Sequence, residues 1–466
     1  MNMNKWFSCL KAITLWVLLL MPLTAWCQRG YVFSENIKPL IKTQWGQGFP
    51  YNILCPKSEK DGQTVYQLAG CGALAMAQMV NYHRYPAMSP DGVYAYDWEQ
   101  MYWTYLPGIS KERVVGVAKL ISDCGVSSFT QYSEVSSSTN LSTMMGAMKR
   151  LFRYSDEMSI YQRADFATPE RDSLFRLLIF TELKAGRPVF YRGYNETKKE
   201  GHLFLIDGCK GSKVHVNMGW AGEGDGYYDL DDLKGYSTKQ WMLMDVADST
   251  YHPDYTDIRL DEAGTLGAVL TPTQQLQTRH LKLAGHMNGD DFAVLRKMLK
   301  TGLLRTIDME DVELKTLPDS AFFECTYLSH LKAPKTLKHT GHVTFYRCRN
   351  LNRVVFAEGL ESVGGQAFSG CVNLLEVKLP STVTRIYGNA FTSCEALLNV
   401  VLPDRVEYLG NYAFSWCKHL NSLHLPKGMK GMGKEITKEC PRLKRLTLDS
   451  GNPYYRVVDG EIQKIQ

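Results

Sequence analysis

Three hydrophobic patterns follow one another along the chain, and the first is helical. Small apolar residues recur at helical spacing after Cys71, which predicts a helix from Cys71 to about Arg84. Pro86 ends it, because a proline cannot continue a helix and restricts the residue before it. Start and stop signals predict further helices over residues 112–124, 141–152 and 168–185.

The second pattern has period two and predicts strands over residues 189–194, 202–208, 213–220 and 241–246. A short turn at residues 209–212 makes the second and third of them an antiparallel hairpin. Such a hairpin brings Asn217 and Trp220 towards His202.

The third pattern is a repeat. Its markers are six cysteines, each 23 residues after the one before: Cys325, Cys348, Cys371, Cys394, Cys417 and Cys440. An LxxLxLP core predicts a short strand in each unit, and stacked units bury a continuous core as a solenoid. The period predicts stacked, reduced and buried cysteines rather than a disulfide framework.

In its period and in its AF-x-x-C signature, the repeat resembles the leucine-rich repeats of bacterial BspA-like surface antigens. The domain boundaries predicted from these patterns are a signal peptide at residues 1–27, a first domain at 28–250, a linker at 251–279 and the solenoid at 280–466. Residues 280–316 are interpreted as a degenerate first repeat with a helix around 292–299.

The N-terminal 27 residues are typical of a signal peptide. Lys5 and Lys11 precede an apolar stretch too short to span a bilayer, and small residues permit cleavage before Gln28. Lipidation of Cys27 is the alternative, disfavoured by the bulky Trp26. The protein is therefore expected to be exported by a bacterium, either secreted or associated with the cell surface.

Composition excludes several function classes. The net charge of +5 is small for 466 residues, and no basic patch interleaved with aromatic residues indicates nucleic-acid binding. No CxxC pair or HExxH motif predicts a metal site. The GWAGEGDG stretch lies between strands and lacks the helix and lysine of a nucleotide loop, so no cofactor is expected.

Cys71 is the candidate nucleophile. It stands at a predicted helix N-terminus, where the macrodipole favours a thiolate, although a structural buried cysteine is the open alternative. His202, at the mouth of a strand, is favoured as its base over His215, which is flanked by valines. Asn217 or Trp220 would orient the histidine. Gln47, on a glycine-flanked segment, would stabilise an oxyanion.

The order Gln, Cys, His, Asn is that of papain-like cysteine proteases. Three blocks, QGFPYNILCP, GCGALAMAQMVNYHRYP and GHLFLIDG…VHVNMGWAGEGDGYYDLDDL, resemble the streptopain family of secreted bacterial cysteine peptidases over residues 38–246. The resemblance implies an α+β papain-like peptidase domain followed by the leucine-rich-repeat solenoid. It implies a thiolate–imidazolium pair of Cys71 and His202, with Gln47 at the oxyanion and Trp220 shielding the histidine.

The chain departs from that family at Gly72, Leu203 and Met218, and only residues 28–38 stand where the family has a long pro-segment. The expected function is a secreted cysteine endopeptidase whose repeats bind a protein or surface partner. The alternatives are an exported repeat protein for binding or adhesion with a weak or inactive peptidase domain, and an amidase or transpeptidase using the same residue pair.

Overall fold

The computed structural model describes residues 33–105, 110–458 and 461–465, so the predicted signal peptide lies outside the described residues. The chain divides into two compact units. The first comprises residues up to 140 and residues 161–244, and the second comprises residues 141–160 and 245–466.

The helices lie close to their predicted positions. They are α1 (Cys71–His83), α2 (Lys111–Ser127), α3 (Leu141–Arg150), α4 (Pro169–Lys184), α5 (Leu266–Val269), α6 (Pro272–Gln277) and α7 (Gly289–Thr301), with 3₁₀ turns at Trp98–Gln100 and Arg163–Phe166.

Helix α2 differs from its prediction at its C-terminal end, because it continues through Gly125 instead of stopping before it. A Cβ at Gly125 would lie 2.0 Å from the Tyr132 hydroxyl and 3.4 Å from Ala73. The glycine therefore serves close packing in the interior of the first unit, not helix termination.

The strands up to residue 244 form a hairpin and a six-stranded sheet. The sheet order is β3-β8-β4-β5-β6-β7, with antiparallel pairing between β8, β4, β5, β6 and β7. The strands are β1 (Lys57–Lys60), β2 (Gln63–Tyr66), β3 (Ser159–Gln162), β4 (Val189–Asn195), β5 (Glu200–Lys210), β6 (Lys213–Asn217), β7 (Gly226–Asp229) and β8 (Thr238–Met244).

Helix α1 packs against α2 and strand β5. Its residues from Gly72 to Val80 are all buried, which explains why small and apolar side chains fill it. The chain around Ile37 pairs with strand β5 of the sheet, since the Ile37 amide donates to the Cys209 carbonyl oxygen at 2.8 Å. The first unit is thus an α+β fold with the N-terminus of its central helix beside strand β5.

The predicted linker at residues 251–279 is ordered, which differs from expectation. Strand β9 (Thr256–Leu260) pairs in parallel with β10 (His280–Gly285), and α5 and α6 lie between them. The mix of Asp, Thr, Pro and Gly suggested a linker, but residues 256–260 add a strand to the repeat sheet. The solenoid therefore begins before residue 280.

The remaining repeat strands are short and parallel. They are β11 (Thr306–Val312), β12 (Thr316–Leu317), β13 (His330–Lys332), β14 (His339–Thr340), β15 (Arg353–Val355), β16 (Ser362–Val363), β17 (Arg385–Ile386), β18 (Asn399–Val401), β19 (Tyr408–Leu409), β20 (Ser422–Leu425), β21 (Gly431–Met432) and β22 (Arg445–Leu448), followed by the antiparallel pair β23 (Tyr455–Val458) and β24 (Glu461–Lys464).

The repeat core is built from identical positions stacked on one another. The Phe368 and Phe391 rings stack with centroids 5.1 Å apart, as do those of Phe391 and Phe414. Cys394 donates its thiol to the Phe368 carbonyl oxygen at 3.2 Å. The same bond recurs at four further cysteines: Cys348, Cys371, Cys417 and Cys440. The described cysteines are all free thiols.

Residues 141–160 belong to the repeat unit, where Glu157 anchors them. Its carboxylate accepts from the Thr306 hydroxyl at 3.1 Å and lies 3.4 Å from His330 Nδ1 and 4.0 Å from His280 Nδ1. These three partners occupy aligned positions on strands β10, β11 and β13. A row of side chains across the sheet therefore holds one buried carboxylate.

No helix in the described part of the chain is long and apolar enough to cross a membrane.

Candidate active site

Cys71 is the first residue of α1, and Gly70 precedes it with φ of 90°. A Cβ at Gly70 would lie 3.1 Å from the Ser137 carbonyl oxygen, so both the backbone conformation and the close approach require glycine there. Cys71 itself is partly accessible, in contrast to the buried Cys55, Cys124 and Cys209 of the same unit.

Burial raises the pKa of the Cys71 thiol. The amides of Leu203, Gly72 and Cys71 and the charge of Arg192 oppose that effect without cancelling it. The sequence predicted that the helix start lowers the thiol pKa. The amides there do oppose the rise, but desolvation of the sulfur outweighs them, so the pKa is raised. The contribution of the Leu203 amide also places the sulfur next to the backbone that follows His202.

The hydrogen bond of His202 defines the state of its ring. Its Nε2 lies 2.8 Å from the Met218 carbonyl oxygen. A carbonyl oxygen can only accept, so Nε2 carries the proton, and in the neutral ring Nδ1 is then the unprotonated nitrogen. His202 is buried, and desolvation lowers its pKa to about 4 despite the raising effect of the Met218 bond.

Two aromatic rings flank His202. The Trp220 ring stacks on it with centroids 4.7 Å apart and an interplanar angle of 25°, and the Tyr236 ring lies 5.3 Å away. The Tyr236 hydroxyl donates to Glu200 at 2.6 Å. These apolar faces remove water from the imidazole and explain its lowered pKa.

Asn217 forms no hydrogen bond with His202 that the structure describes, so the predicted orienting role of Asn217 or Trp220 has no such bond behind it at Asn217. Its amide donates to the Thr43 carbonyl oxygen at 2.8 Å and accepts from Gln78 at 3.0 Å. Asn217 thereby joins β6 to α1 and to the segment before it. The backbone of Met218 holds the histidine instead.

Gln47 lies beside the nucleophile segment. Its carbonyl oxygen accepts from the Ala69 amide at 2.9 Å, two residues before Cys71. The neighbouring Trp45 carbonyl oxygen accepts from Ala221 at 3.1 Å, next to Trp220. Residues 45–47 are therefore hydrogen-bonded both to the residues just before Cys71 and to the loop that carries Trp220.

The second histidine of the hairpin, His215, is committed elsewhere. Its Nδ1 lies 2.7 Å from the fully buried carboxylate of Asp207, whose other oxygen accepts from the Ile41 amide at 2.9 Å. This pair fastens the N-terminal segment to β5. It leaves His202 as the hairpin histidine near Cys71.

Three features of the site have no counterpart in the sequence interpretation: the Met218 carbonyl, the Tyr236 ring and the charge of Arg192. A backbone carbonyl leaves no signature in the sequence. Tyr236 lies near the site because of the path of its loop, and Arg192 lies near it because of the register between β4 and β5. No set of three His, Cys, Asp or Glu residues placed to hold a metal occurs within the described residues.

Residues 45–228 match the peptidase C10 family. The chain contains a peptidase C10 domain. Together with the short parallel strands of the repeat unit, this match confirms the fold class expected from the sequence, an α+β papain-like peptidase domain followed by a leucine-rich-repeat solenoid. Residues 299–397 and 341–455 match the BspA-type leucine-rich repeat region, in six copies.

Relatives of the C10 domain are bacterial proteases. A streptopain of Streptococcus pyogenes is 32% identical, covering 44% of this chain and 59% of the streptopain, so the chain spans little more than half of that relative. The thiol protease/hemagglutinin PrtT of Porphyromonas gingivalis is 26% identical over 46% of this chain and 28% of PrtT. The structure of active interpain A from Prevotella intermedia covers 46% of this chain and 96% of interpain A, with 29% identity and a TM-score of 0.42.

Proposed function

We propose that this protein is an exported cysteine endopeptidase in which Cys71 is the nucleophile and His202 its acid–base partner. The observation that carries the proposal is the bond from His202 Nε2–H to the Met218 carbonyl oxygen. It leaves Nδ1 as the nitrogen that can take a proton from a thiol.

The reaction follows from that tautomer. The Cys71 sulfur attacks the carbonyl carbon of a peptide bond while its proton passes to His202 Nδ1. The Gln47 side chain and the Cys71 amide donate hydrogen bonds to the oxyanion, and such a donor contributes about 10²–10³-fold in rate. His202 then gives the proton to the leaving amine, and water hydrolyses the thioester that remains.

The surroundings of the pair favour a neutral resting state. Burial favours the uncharged forms of both groups, with the pKa of Cys71 raised and that of His202 lowered to about 4. Transfer of one proton between them creates two opposite charges next to each other in a poorly hydrated site. Trp220 stacks on the imidazole and excludes water from it.

The repeats provide a binding surface for a protein or surface partner, since a solenoid presents an extended face of repeated side chains. Export is supported by the charged and apolar pattern of residues 1–27. The substrates are proteins or peptides, and the repeats would hold the peptidase domain near them.

The test combines labelling with hydrolysis. The epoxide inhibitor E-64 is expected to add one label per chain, located at Cys71 by peptide mapping, and casein hydrolysis is expected to disappear in the Cys71→Ala variant. Cys440→Ala, at a partly exposed cysteine of the repeats, is the matched control and should retain full activity. Hydrolysis that persists in Cys71→Ala, or a label on another cysteine, would contradict the proposal.

A further inference from the structure

Arg192 is a cationic side chain beside the candidate nucleophile. It lies on β4 directly opposite Leu203 of β5, the residue that follows His202. Its guanidinium covers Gly201, because a Cβ at that glycine would be 3.3 Å from one of its terminal nitrogens. The register of two paired strands thus places a positive charge next to the backbone on both sides of His202.

Arg192 differs from Arg163 and Arg176 of the same unit. Arg163 and Arg176 share the carboxylates of Asp172 and Asp231, at distances that include 2.8 and 2.7 Å to Asp172. Arg192 forms no ion pair or side-chain hydrogen bond with any residue that the structure describes. A half-buried guanidinium is usually paired, because loss of hydration has to be offset by a partner.

The acid whose charge acts on His202 is already engaged. Glu200 accepts from the Tyr236 hydroxyl at 2.6 Å and lies 3.7 Å from Lys198. The charge of Arg192 is felt at Cys71, where it favours the thiolate. Arg192 is therefore near the reacting sulfur and has donors available for a group that the protein itself does not supply.

We propose that Arg192 binds a carboxylate of the substrate close to the scissile bond, so that the peptidase prefers an acidic residue or a chain-terminal carboxylate at that position. The inference rests on the proposed function. Arginine suits this role because its planar guanidinium presents paired donors that match the two oxygens of a carboxylate.

The test uses the full-length protein and fluorogenic peptides in pairs that differ only by Glu or Gln at one position on either side of the cleaved bond. Peptides amidated at the C-terminus examine the side-chain carboxylate, and peptides with a free C-terminus examine the terminal one. At one position the wild type is expected to show a kcat/KM at least tenfold higher for the carboxylate than for its neutral counterpart.

Arg192→Gln should reduce that ratio to about one, and Arg192→Glu should invert it. On the neutral peptide both variants should lose less kcat/KM than on the carboxylate peptide, because only the support that Arg192 gives to the Cys71 thiolate is lost there. Arg259→Gln is the matched control, since Arg259 is highly exposed and lies in the repeat unit. It should keep the wild-type ratio.

Three outcomes overturn the inference while the proposed function survives: a wild type without preference for a carboxylate, a preference retained by Arg192→Gln, or an equal loss on all peptides. The last result would assign Arg192 to activation of the thiol alone, and the rate of E-64 labelling would then fall in the same proportion. Absence of both cleavage and labelling in the wild type would overturn the proposed function and this inference together.

Discussion

The two units use cysteine in opposite ways. In the peptidase unit, Cys71 is partly accessible, begins a helix and has its sulfur next to the backbone that follows His202. In the repeat unit, Cys348, Cys371 and Cys394 are buried, and burial raises their pKa values well above the usual range for a thiol. Accessibility and polar neighbours decide whether a cysteine can react, and the residue type alone does not.

The same contrast applies to buried histidines and carboxylates. His202 has lost water to aromatic rings, and its described hydrogen bond goes to a carbonyl oxygen, which suits a proton carrier. Glu157 of the repeat unit is surrounded by a hydroxyl and two histidines, which suits an anchor. The predictions below test this division between chemistry and anchoring.

The largest expected effect is that of His202→Ala. Loss of the acid–base group should lower kcat/KM on a casein-derived peptide by about 10²–10⁴-fold, with little change in the melting temperature. The measurement is steady-state hydrolysis together with thermal unfolding.

His215→Ala is the matched comparison, because His215 is held by Asp207 on the same hairpin. It should lower thermal stability and leave kcat/KM within a few-fold of wild type. A larger catalytic loss in His215→Ala than in His202→Ala would reverse the assignment of the base.

Glu157→Gln should destabilise the repeat unit by about 3–5 kcal/mol, because removing one partner of a buried charge cluster leaves the others without compensation. Denaturant unfolding measures this loss. Glu361→Gln provides the control, since Glu361 pairs with Lys338 at 3.1 Å on the exposed surface. That variant should lose no more than about 0.5 kcal/mol. Equal effects of the two substitutions would mean that Glu157 is not an anchor.

Low pH should remove the stabilisation that the Glu157 carboxylate provides. Burial alone would raise the pKa of Glu157, but the bond to His330 and the charges of His330 and His280 lower it to about 2 from its usual 4.5. A lowered folded-state pKa stabilises the fold above the unfolded value and is lost as the pH falls through the folded value. The contribution, about 3 kcal/mol, is therefore complete above pH 4.5 and disappears towards pH 2.

The measurement is unfolding free energy as a function of pH in wild type and Glu157→Gln. The two curves should approach each other as the pH falls below 4.5 and meet only near pH 2, where the protonated acid and the amide are both neutral. Curves that remain parallel down to pH 2 would show that the Glu157 charge contributes nothing.

Asn217→Ala should cost about 1–3 kcal/mol, because Gln78 and the Thr43 carbonyl oxygen lose their partner in a buried environment. If Asn217 joins elements without orienting His202, the pH profile of kcat/KM should keep its shape. A shift of the profile, with stability unchanged, would restore the orienting role that the sequence suggested.

The sequence predicts the repeat unit more completely than the site because periodicity repeats the same evidence in every unit. The 23-residue period does not reveal the role of Glu157. The partners of this carboxylate, His280, Thr306 and His330, are 26 and 24 residues apart and so do not follow the period. In the peptidase unit, Cys71, His202 and Gln47 could be proposed from local pattern and resemblance. The Met218 carbonyl and Arg192 could not, because their placement depends on register and backbone direction.

The smallest expected effect concerns the stacked cysteines. Cys394→Ala removes a buried sulfur and its bond to the Phe368 carbonyl oxygen, which should cost about 1–2 kcal/mol. Cys440→Ala, at the partly exposed end of the same row, should cost less, and neither variant should change peptide hydrolysis. Denaturant unfolding measures the two losses of stability. A larger loss for Cys394→Ala is expected if the cysteines act as buried packing residues, whereas equal losses would indicate a shared redox or metal role.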